Sequence, residues 1–304
     1  MLIILFLGLT ICILTGSDLS YDYSSLGLKL WFEKMIPSLL PFMILSGFIV
    51  RMRFTERISH VFSFVVNPLW KVRDNVIYCM FMGFLCGFPM GAKVTAELYE
   101  KQDITRKEAE YLLAFCNNIG PVYFCSFVVP LLKRELLFPY LFGMYGLPLL
   151  YSLVLRYTVC KDLNRPELNG HNPIKISQNK PECFAALEDS VGTSVKSILS
   201  LGGYMILFNL LNILPHRIFG KRISILSPLL EITGGLSMLN GALPLYCFVV
   251  LQFGGLCCIA QTFSCISDTD LSLTSYVVHK VILTIITCLY YLVWSCVSPG
   301  TFLK

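Results

Sequence analysis

The sequence places a lysine directly behind a glycine- and proline-rich break in an apolar segment. Pro89 and Gly91 end the apolar run, and Lys93 follows at the start of a polar stretch. A helix that begins at such a break has free N–H groups, which together with an ammonium favour a carboxylate or a phosphate. The alternative is that Lys93 reaches the membrane surface and pairs with Glu97 four residues later. A P-loop is excluded, because alanine rather than lysine follows the second glycine.

A second break carries two adjacent carboxamides. Asn117, Asn118, Gly120 and Pro121 interrupt an apolar segment that covers residues 111–132. Polar side chains inside a membrane segment are costly unless they are bonded, so the asparagine pair is predicted to bind a substrate or a coupling ion through its carbonyl oxygens. The alternative is that the two side chains cap the broken helix and hydrogen-bond a neighbouring helix.

Two apolar segments near the end of the chain contain isolated polar groups beside glycines. Glu231 and Thr233 precede a glycine pair, and Gln261 follows Gly254 within the next apolar segment. An ionisable group in a membrane segment is a functional candidate, so Glu231 is predicted to accept a proton or to bind Na⁺. The alternative places Glu231 at an exposed helix end. Together with the first two breaks, these residues predict one central polar site that binds a substrate.

Patterns typical of soluble enzymes are absent from the sequence. It contains no H-E-x-x-H and no G-x-S-x-G motif. Its 13 cysteines form no C-x-x-C pair and no zinc-spaced cluster with histidine. We therefore expect no enzymatic activity, no cofactor and no metal site. The lack of a basic stripe with interleaved aromatic residues predicts no nucleic-acid partner.

The elements that must position these residues are membrane helices. Of the 304 residues, 55% are hydrophobic and only 14% are charged, whereas a soluble domain has about 25% charged residues. A spanning helix needs about 20 apolar residues, so the sequence predicts an all-α, polytopic transmembrane helix bundle with about eight membrane segments, including broken or re-entrant helices. The expected partners are the lipid bilayer and a small anionic substrate. A coupling H⁺ or Na⁺ and a homo-oligomer stay open.

Composition divides the chain into two halves joined by a polar connector. We predict an N-terminal transmembrane helix in residues 1–25, a first half in 26–159, a connector in 160–190 and a second half in 191–304. Residues 1–16 are expected to be a retained helix rather than a signal peptide, because a basic n-region is missing. Residues 58–70 are apolar but too short to cross a membrane. Thr105 and Glu108 have the spacing of a capping box.

Weak internal similarity relates the two halves. The break at residues 83–91 aligns with residues 230–236, and the break at 113–121 aligns with 251–259. Interrupted apolar segments in matching positions of two halves are typical of the binding site of a secondary transporter. Broken backbone is tolerated in a membrane only where protein or a water-filled cavity surrounds it. These patterns predict a two-fold inverted repeat around a central site.

The motifs G-F-P-M-G-A-K at residues 87–93 and E-A-E-Y-L-L-A-F-C-N-N-I-G-P at 108–121 resemble the YlbJ-type sporulation integral membrane proteins. L-E-I-T-G-G at 230–235 and F-G-G-L at 253–256 are similar to a second, shorter motif of that family, whose core is related to the nucleoside recognition or Gate domain of transporters. The resemblance spans residues 35–285.

The resemblance implies a membrane protein of the forespore envelope in a spore-forming bacterium. It also implies transport of dipicolinate, a small aromatic dicarboxylate, from the mother cell into the forespore. On this interpretation Lys93 attracts the anion, the asparagine pair orients it, and Glu231 with Gln261 completes the cavity or couples ions. A nucleoside transporter and a non-transporting scaffold for spore assembly are the alternatives.

Overall fold

The described part of the chain folds into helices and contains no strand. The computed structural model describes residues 2–132, 138–164 and 182–298. Five helices in these ranges are long and apolar enough to cross a membrane: Ser17–Arg51, Phe138–Thr158, Cys183–Phe219, Pro244–Ile266 and Leu273–Val297. Two shorter apolar helices are Asp74–Cys86 and Pro121–Leu131. The prediction of an all-helical membrane bundle is confirmed.

The described residues between 2 and 158 form eight helical segments. They are α1 (Leu2–Thr15), α2 (Ser17–Arg51, with a π-helical turn at Trp31–Met35), α3 (Thr55–Trp70), α4 (Asp74–Cys86), α5 (Met90–Glu100), α6 (Arg106–Leu113), α7 (Pro121–Leu131) and α8 (Phe138–Thr158). A short 3₁₀ helix, Lys161–Asn164, follows α8.

The N-terminal boundaries differ from the predicted ones. A single membrane helix was expected within residues 1–25, but α1 has only 14 residues and ends at Thr15. Helix α2 begins two residues later and continues for 35 residues. The residues of its first part that are buried, Ser20, Tyr23, Gly27 and Leu30, share one helical face. Packing of α2 along the helix Cys183–Leu210 therefore keeps this polar stretch helical.

The second half contains seven helices. They are α9 (Cys183–Leu210), α10 (Ile213–Phe219), α11 (Ser227–Leu230), α12 (Ile232–Leu239), α13 (Pro244–Phe253), α14 (Gly255–Ile266) and α15 (Leu273–Val297). Helix α9 begins within the stretch that was predicted to be the polar connector. Residues 165–181 of that connector lie outside the described residues.

A local prediction is confirmed at the start of α6. The Thr105 side chain accepts a hydrogen bond from Glu108 N at 3.3 Å, and the Glu108 carboxylate accepts one from Thr105 N at 2.7 Å. Arg73, just before α4, donates from Nε to Glu108 Oε1 at 2.8 Å. This bond raises the pKa of Arg73 above its usual range. The capping box therefore also ties α6 to the beginning of α4.

Buried side chains form two main hydrophobic clusters. The first is centred on α4, α5 and α6 and includes Met43 and Met205 from α2 and α9. The second surrounds Phe124 and Phe248 and joins α7, α8, α13 and α15. The polar residues of interest lie along the boundary between these two clusters.

Candidate functional site

Four interruptions of the helical backbone lie near the centre of the bundle. They occur at residues 87–89 between α4 and α5, at 114–120 between α6 and α7, at Glu231 between α11 and α12, and at Gly254 between α13 and α14. Gly87 and Gly254 have φ angles of 81° and 83°, which glycine adopts without the steric cost of a Cβ atom. Each predicted break is therefore a real interruption of a helix.

The two breaks of the first half cross each other with their backbones in contact. A Cβ atom on Gly91 would lie 2.5 Å from the Cys116 carbonyl oxygen. A Cβ atom on Gly120 would lie 2.6 Å from the Cys86 carbonyl oxygen. The missing side chains therefore allow the α4–α5 and α6–α7 segments to approach this closely.

The breaks of the second half are stacked in a similar way. A Cβ atom on Gly255 would lie 2.8 Å from the Pro228 carbonyl oxygen. On the neighbouring Gly254, it would lie 2.7 Å from Cζ of Phe88, a residue of the first break. Phe88 thus connects the interrupted segments of the two halves.

A small cavity lies against the first three of these breaks, with Phe88, Gly120 and Glu231 among its lining residues. Its volume is about 50 Å³. Its polar lining comes from Ser38, Tyr123, Glu231, Thr233 and Gln261. Its apolar walls include side chains of both hydrophobic clusters. The cavity is therefore largely apolar, carries a few polar groups, and is lined by residues of both halves.

Glu231 is a buried acid that caps α12. Its carboxylate accepts hydrogen bonds from Thr233 N at 2.9 Å, from Gly234 N at 2.6 Å and from Asn209 Nδ2 at 2.9 Å. It is 2% exposed, so the alternative of an exposed helix end is wrong. The free N–H groups that were expected to attract an anion at this helix are occupied by Glu231 itself.

A second buried charge, Lys280, lies behind the cavity wall. Its Nζ donates to Asn118 Oδ1 at 2.8 Å and to the Gln252 carbonyl oxygen at 3.1 Å. The same nitrogen lies 4.5 Å from the centre of the Phe88 ring. Lys280 is 2% exposed. No carboxylate of the described residues forms an ion pair with it.

The two asparagines of the second break point to different partners. Asn118 accepts from Lys280, whereas Asn117 Nδ2 donates to Thr262 Oγ1 at 2.7 Å and to the Tyr276 hydroxyl at 3.3 Å. Asn117 Oδ1 is buried and has no hydrogen-bond partner within the described ranges. The pair therefore ties the α6–α7 break to α14 and α15, which is the bonding that the alternative interpretation predicted.

Lys93 lies apart from the cavity. Its Nζ donates to Ser197 Oγ at 3.0 Å and lies 3.9 Å from Glu97 Oε1. The predicted pairing with Glu97 is therefore present. Lys93 is 8% exposed, and it is not among the residues that line the cavity.

A row of residues winds along α9 from this basic region to the cavity. The row consists of Thr193, Ser197, Leu201, Met205 and Asn209. They are four apart, which separates neighbours by about 6 Å along the helix axis. The first two accept hydrogen bonds from Arg51 and Lys93, the next two line the cavity, and the last donates to Glu231. Two basic side chains therefore contact α9 on the N-terminal side of the cavity.

The chain is similar to a curated membrane protein over most of its length. Sporulation integral membrane protein YlbJ of Bacillus subtilis (strain 168) is 26% identical over an alignment of 320 residues. The alignment covers 91% of this chain and 78% of the relative. The YlbJ-type resemblance is confirmed. With five helices that are able to cross a membrane, the chain is a multi-pass membrane protein. No family model and no solved structure matches it.

The structure brings part of the predicted site together. Gly120, Glu231, Thr233 and Gln261 line the cavity. The other predicted residues support its walls or lie farther away: Pro89 precedes α5, Gly91 packs on Cys116, Gly254 packs on Phe88, Asn117 and Asn118 hold α14 and α15, and Lys93 contacts α9.

Among the described residues, no group of three or more acids, histidines and cysteines is placed to hold a metal ion.

Lys280 and Asn209 are site residues that the sequence-based prediction omitted, whereas Phe88 lies within the predicted break at 83–91. Lys280 carried a usable signal, because it is the single lysine in the apolar stretch 273–297, which contains no acid. The rule that singled out Glu231 applies equally to it. Phe88 carried no such signal, since aromatic residues are common in apolar segments. Asn209 gains its importance only through the fold, which brings it to Glu231.

Proposed function

We propose that this chain is a membrane transporter that acts in endospore formation and moves a small anionic metabolite such as dipicolinate. The observation that carries the proposal is that helix breaks from both halves, at Phe88, Gly120 and Glu231, line one small cavity with a few polar groups in a largely apolar wall. Secondary transporters typically bind their substrates between two halves, at interrupted helices. The Bacillus subtilis relative, a sporulation integral membrane protein by name, supports the cellular role.

The charges near the cavity support an anionic substrate. Glu231 already accepts three hydrogen bonds, which compensate its negative charge. Lys280 donates only to neutral oxygens. Arg51 and Lys93 add positive charge along α9, and such charges attract anions toward a site. The choice of dipicolinate among small anions rests on the family resemblance.

Transport requires the cavity to enlarge. Its volume is about 50 Å³, whereas binding sites for small molecules are typically about 300–1,000 Å³. Backbone contacts hold the breaks together within each half, at Gly91 with Cys116 and at Gly255 with Pro228. Phe88 packs on Gly254 across the halves, and a Cβ atom on Gly27 would lie 2.9 Å from the Met205 carbonyl oxygen, so backbone contacts also join α2 to α9. The proposed motion is therefore a rearrangement of side chains such as Phe88 around the cavity, while these backbone contacts persist.

Glu231 is the proposed coupling group. It is the acid that lines the cavity, and its partners are an amide and two backbone N–H groups. A proton or a Na⁺ ion that binds the carboxylate would weaken these three bonds and loosen α12. Coupled transport would then depend on the gradient of that ion.

Uptake by the purified chain in liposomes tests the proposal. Radiolabelled dipicolinate and uridine are compared at equal concentrations, with imposed H⁺ or Na⁺ gradients and with protein-free liposomes as the blank. Saturable dipicolinate uptake that responds to one gradient is expected. Glu231→Gln should remove the gradient dependence, while the matched control Glu110→Gln, at the surface beside Arg106, should retain it.

Three other outcomes would contradict the proposal. Uridine uptake without dipicolinate uptake would make the chain a nucleoside transporter. Absence of flux for both compounds, combined with a sporulation defect in a strain that lacks the protein, would support the scaffold. Normal sporulation in a strain that makes normal amounts of a transport-inactive variant would show that sporulation does not depend on transport by this protein.

A further inference from the structure

Lys280 is a buried basic side chain that forms no ion pair with an acid among the described residues. Its two hydrogen-bond acceptors are the Asn118 side-chain oxygen and the Gln252 carbonyl oxygen. An ammonium retained inside a membrane segment without an acid is costly, and such charges typically face a substrate or ion pathway. The described residues therefore accept hydrogen bonds from Lys280, but none of them is an acid that pairs with it. Its ammonium form can still bind an anion.

Arg156 shows what a purely structural buried cation looks like in the same molecule. It is 5% exposed, and its guanidinium donates to the backbone carbonyls of Trp70, Lys71, Cys160 and Lys161. All its donor nitrogens are thus used to fasten the ends of α3 and α8. Lys280 has two acceptors and an aromatic ring around its ammonium instead.

The ring of Phe88 lies between Lys280 and the cavity. Phe88 is a cavity-lining residue, and the Lys280 Nζ sits over the ring at 4.5 Å from its centre. Gly254 supplies the space for the ring, because a Cβ atom there would lie 2.7 Å from Phe88 Cζ. The ammonium is attracted to the face of the ring, as in other cation–π contacts. A movement of this one side chain would expose the charge to the cavity.

We propose that Lys280 forms a carboxylate-binding subsite, which the Phe88 ring separates from the cavity until substrate binds. The substrate class is a small carboxylate, such as an aromatic dicarboxylate. One carboxylate group replaces the ring as the neighbour of the ammonium and adds an ionic bond to the hydrogen bonds from Lys280. This inference rests on the proposed function, and it assigns anion recognition to Lys280 rather than to Lys93.

Lysine variants in liposomes test the subsite. The uptake of dipicolinate is measured together with its inhibition by the uncharged isostere pyridine-2,6-dicarboxamide. Lys280→Gln should raise the KM for dipicolinate at least tenfold and reduce the preference for the dianion over the diamide by a similar factor. Lys280→Arg should restore part of that preference. His279→Gln is the matched control, since His279 contacts Tyr151 instead, and it should behave as the wild type.

A thermal measurement separates recognition from structure. Removal of an uncompensated buried charge should leave the Tm of the ligand-free protein unchanged or higher, whereas dipicolinate should no longer raise the Tm of Lys280→Gln. A lower Tm with an unchanged preference for the dianion would make Lys280 purely structural and overturn the subsite. If wild-type protein shows no flux, the proposed transport fails, and the dipicolinate-dependent Tm shift still decides the subsite.

Phe88→Leu tests the role of the ring. The leucine keeps an apolar wall but loses the attraction for the ammonium, so the KM for dipicolinate should fall. An unchanged or higher KM would show that the ring does not hold Lys280 away from the substrate. That result would overturn the separation of the subsite by Phe88.

Discussion

The backbone contact at Gly91 predicts that a single added methyl group destabilises the bundle. In Gly91→Ala, the new Cβ atom would lie 2.5 Å from the Cys116 carbonyl oxygen and 3.0 Å from its carbon. Both atoms belong to the backbone of the α6–α7 break, so a side-chain rotation cannot relieve the overlap. The two crossing segments must move apart, and the walls of the cavity move with them.

Two opposing effects determine the magnitude. Alanine is favoured over glycine inside a helix by up to about 1 kcal/mol. Overpacking that forces a backbone shift costs about 3 kcal/mol, the upper part of the usual range. The net loss is therefore about 2 kcal/mol, which corresponds to a fall in Tm of about 4 °C for a chain of this size.

Thermal unfolding of the detergent-purified variants measures this difference. Gly192→Ala and Gly203→Ala in α9 are matched controls, because a Cβ atom at either position meets no atom within 4 Å. Their Tm should rise by about 1–2 °C through helix propensity alone. A Tm of Gly91→Ala equal to that of these controls would refute the backbone contact between the two broken segments.

Three further substitutions test individual contacts. Glu231→Gln weakens the cap of α12 and should lower the Tm by about 2–4 °C, equivalent to about 1–2 kcal/mol; an unchanged Tm would contradict the capping role. Lys93→Met should raise the KM for dipicolinate about threefold without changing kcat, because a distant charge attracts the anion without touching it; a lower kcat at equal protein abundance would place Lys93 in the binding site. Glu108→Gln should cost about 1–2 kcal/mol in low salt, less than a fully buried pair because Arg73 is half exposed. The loss of stability in Glu108→Gln, measured as a fall in Tm, should shrink in 1 M salt to about the residual effect of the capping box. A fall in Tm that does not depend on salt would contradict the ionic contribution.

Features determined by neighbouring residues were predictable from the sequence. Thr105 and Glu108 form the expected capping box because both partners lie within one helical turn. The breaks at Gly87 and Gly254 were also recognisable. Glycine adds no apolar side chain to a membrane segment, so its presence there indicates a backbone conformation that other residues disfavour. Helix α3 has 16 residues, in agreement with the expectation that residues 58–70 are too short to cross a membrane.

Features determined by tertiary packing were not predictable. The sequence predicts that residues 17–25 belong to the N-terminal membrane helix, yet they form the start of α2 because one face of this helix is buried in the bundle. Lys93 looked like the anion-binding charge because it directly follows a break, but the fold turns it toward Ser197. Lys280 reaches the site only because α15 packs beside α13 and the asparagine break. The inverted repeat and the site itself remain predictions.

The glycine crossings limit where evolution can alter this protein. Backbone atoms form the contacts at Gly91 and Gly120, and they offer no side chain that selection could exchange for another shape. A change of cargo must therefore arise among the side chains that line the cavity, such as Phe88 and Gln261. We expect distant relatives with different substrates to keep the crossing glycines and to diverge at these lining positions. The same bundle can then serve new cargoes while its central framework stays fixed.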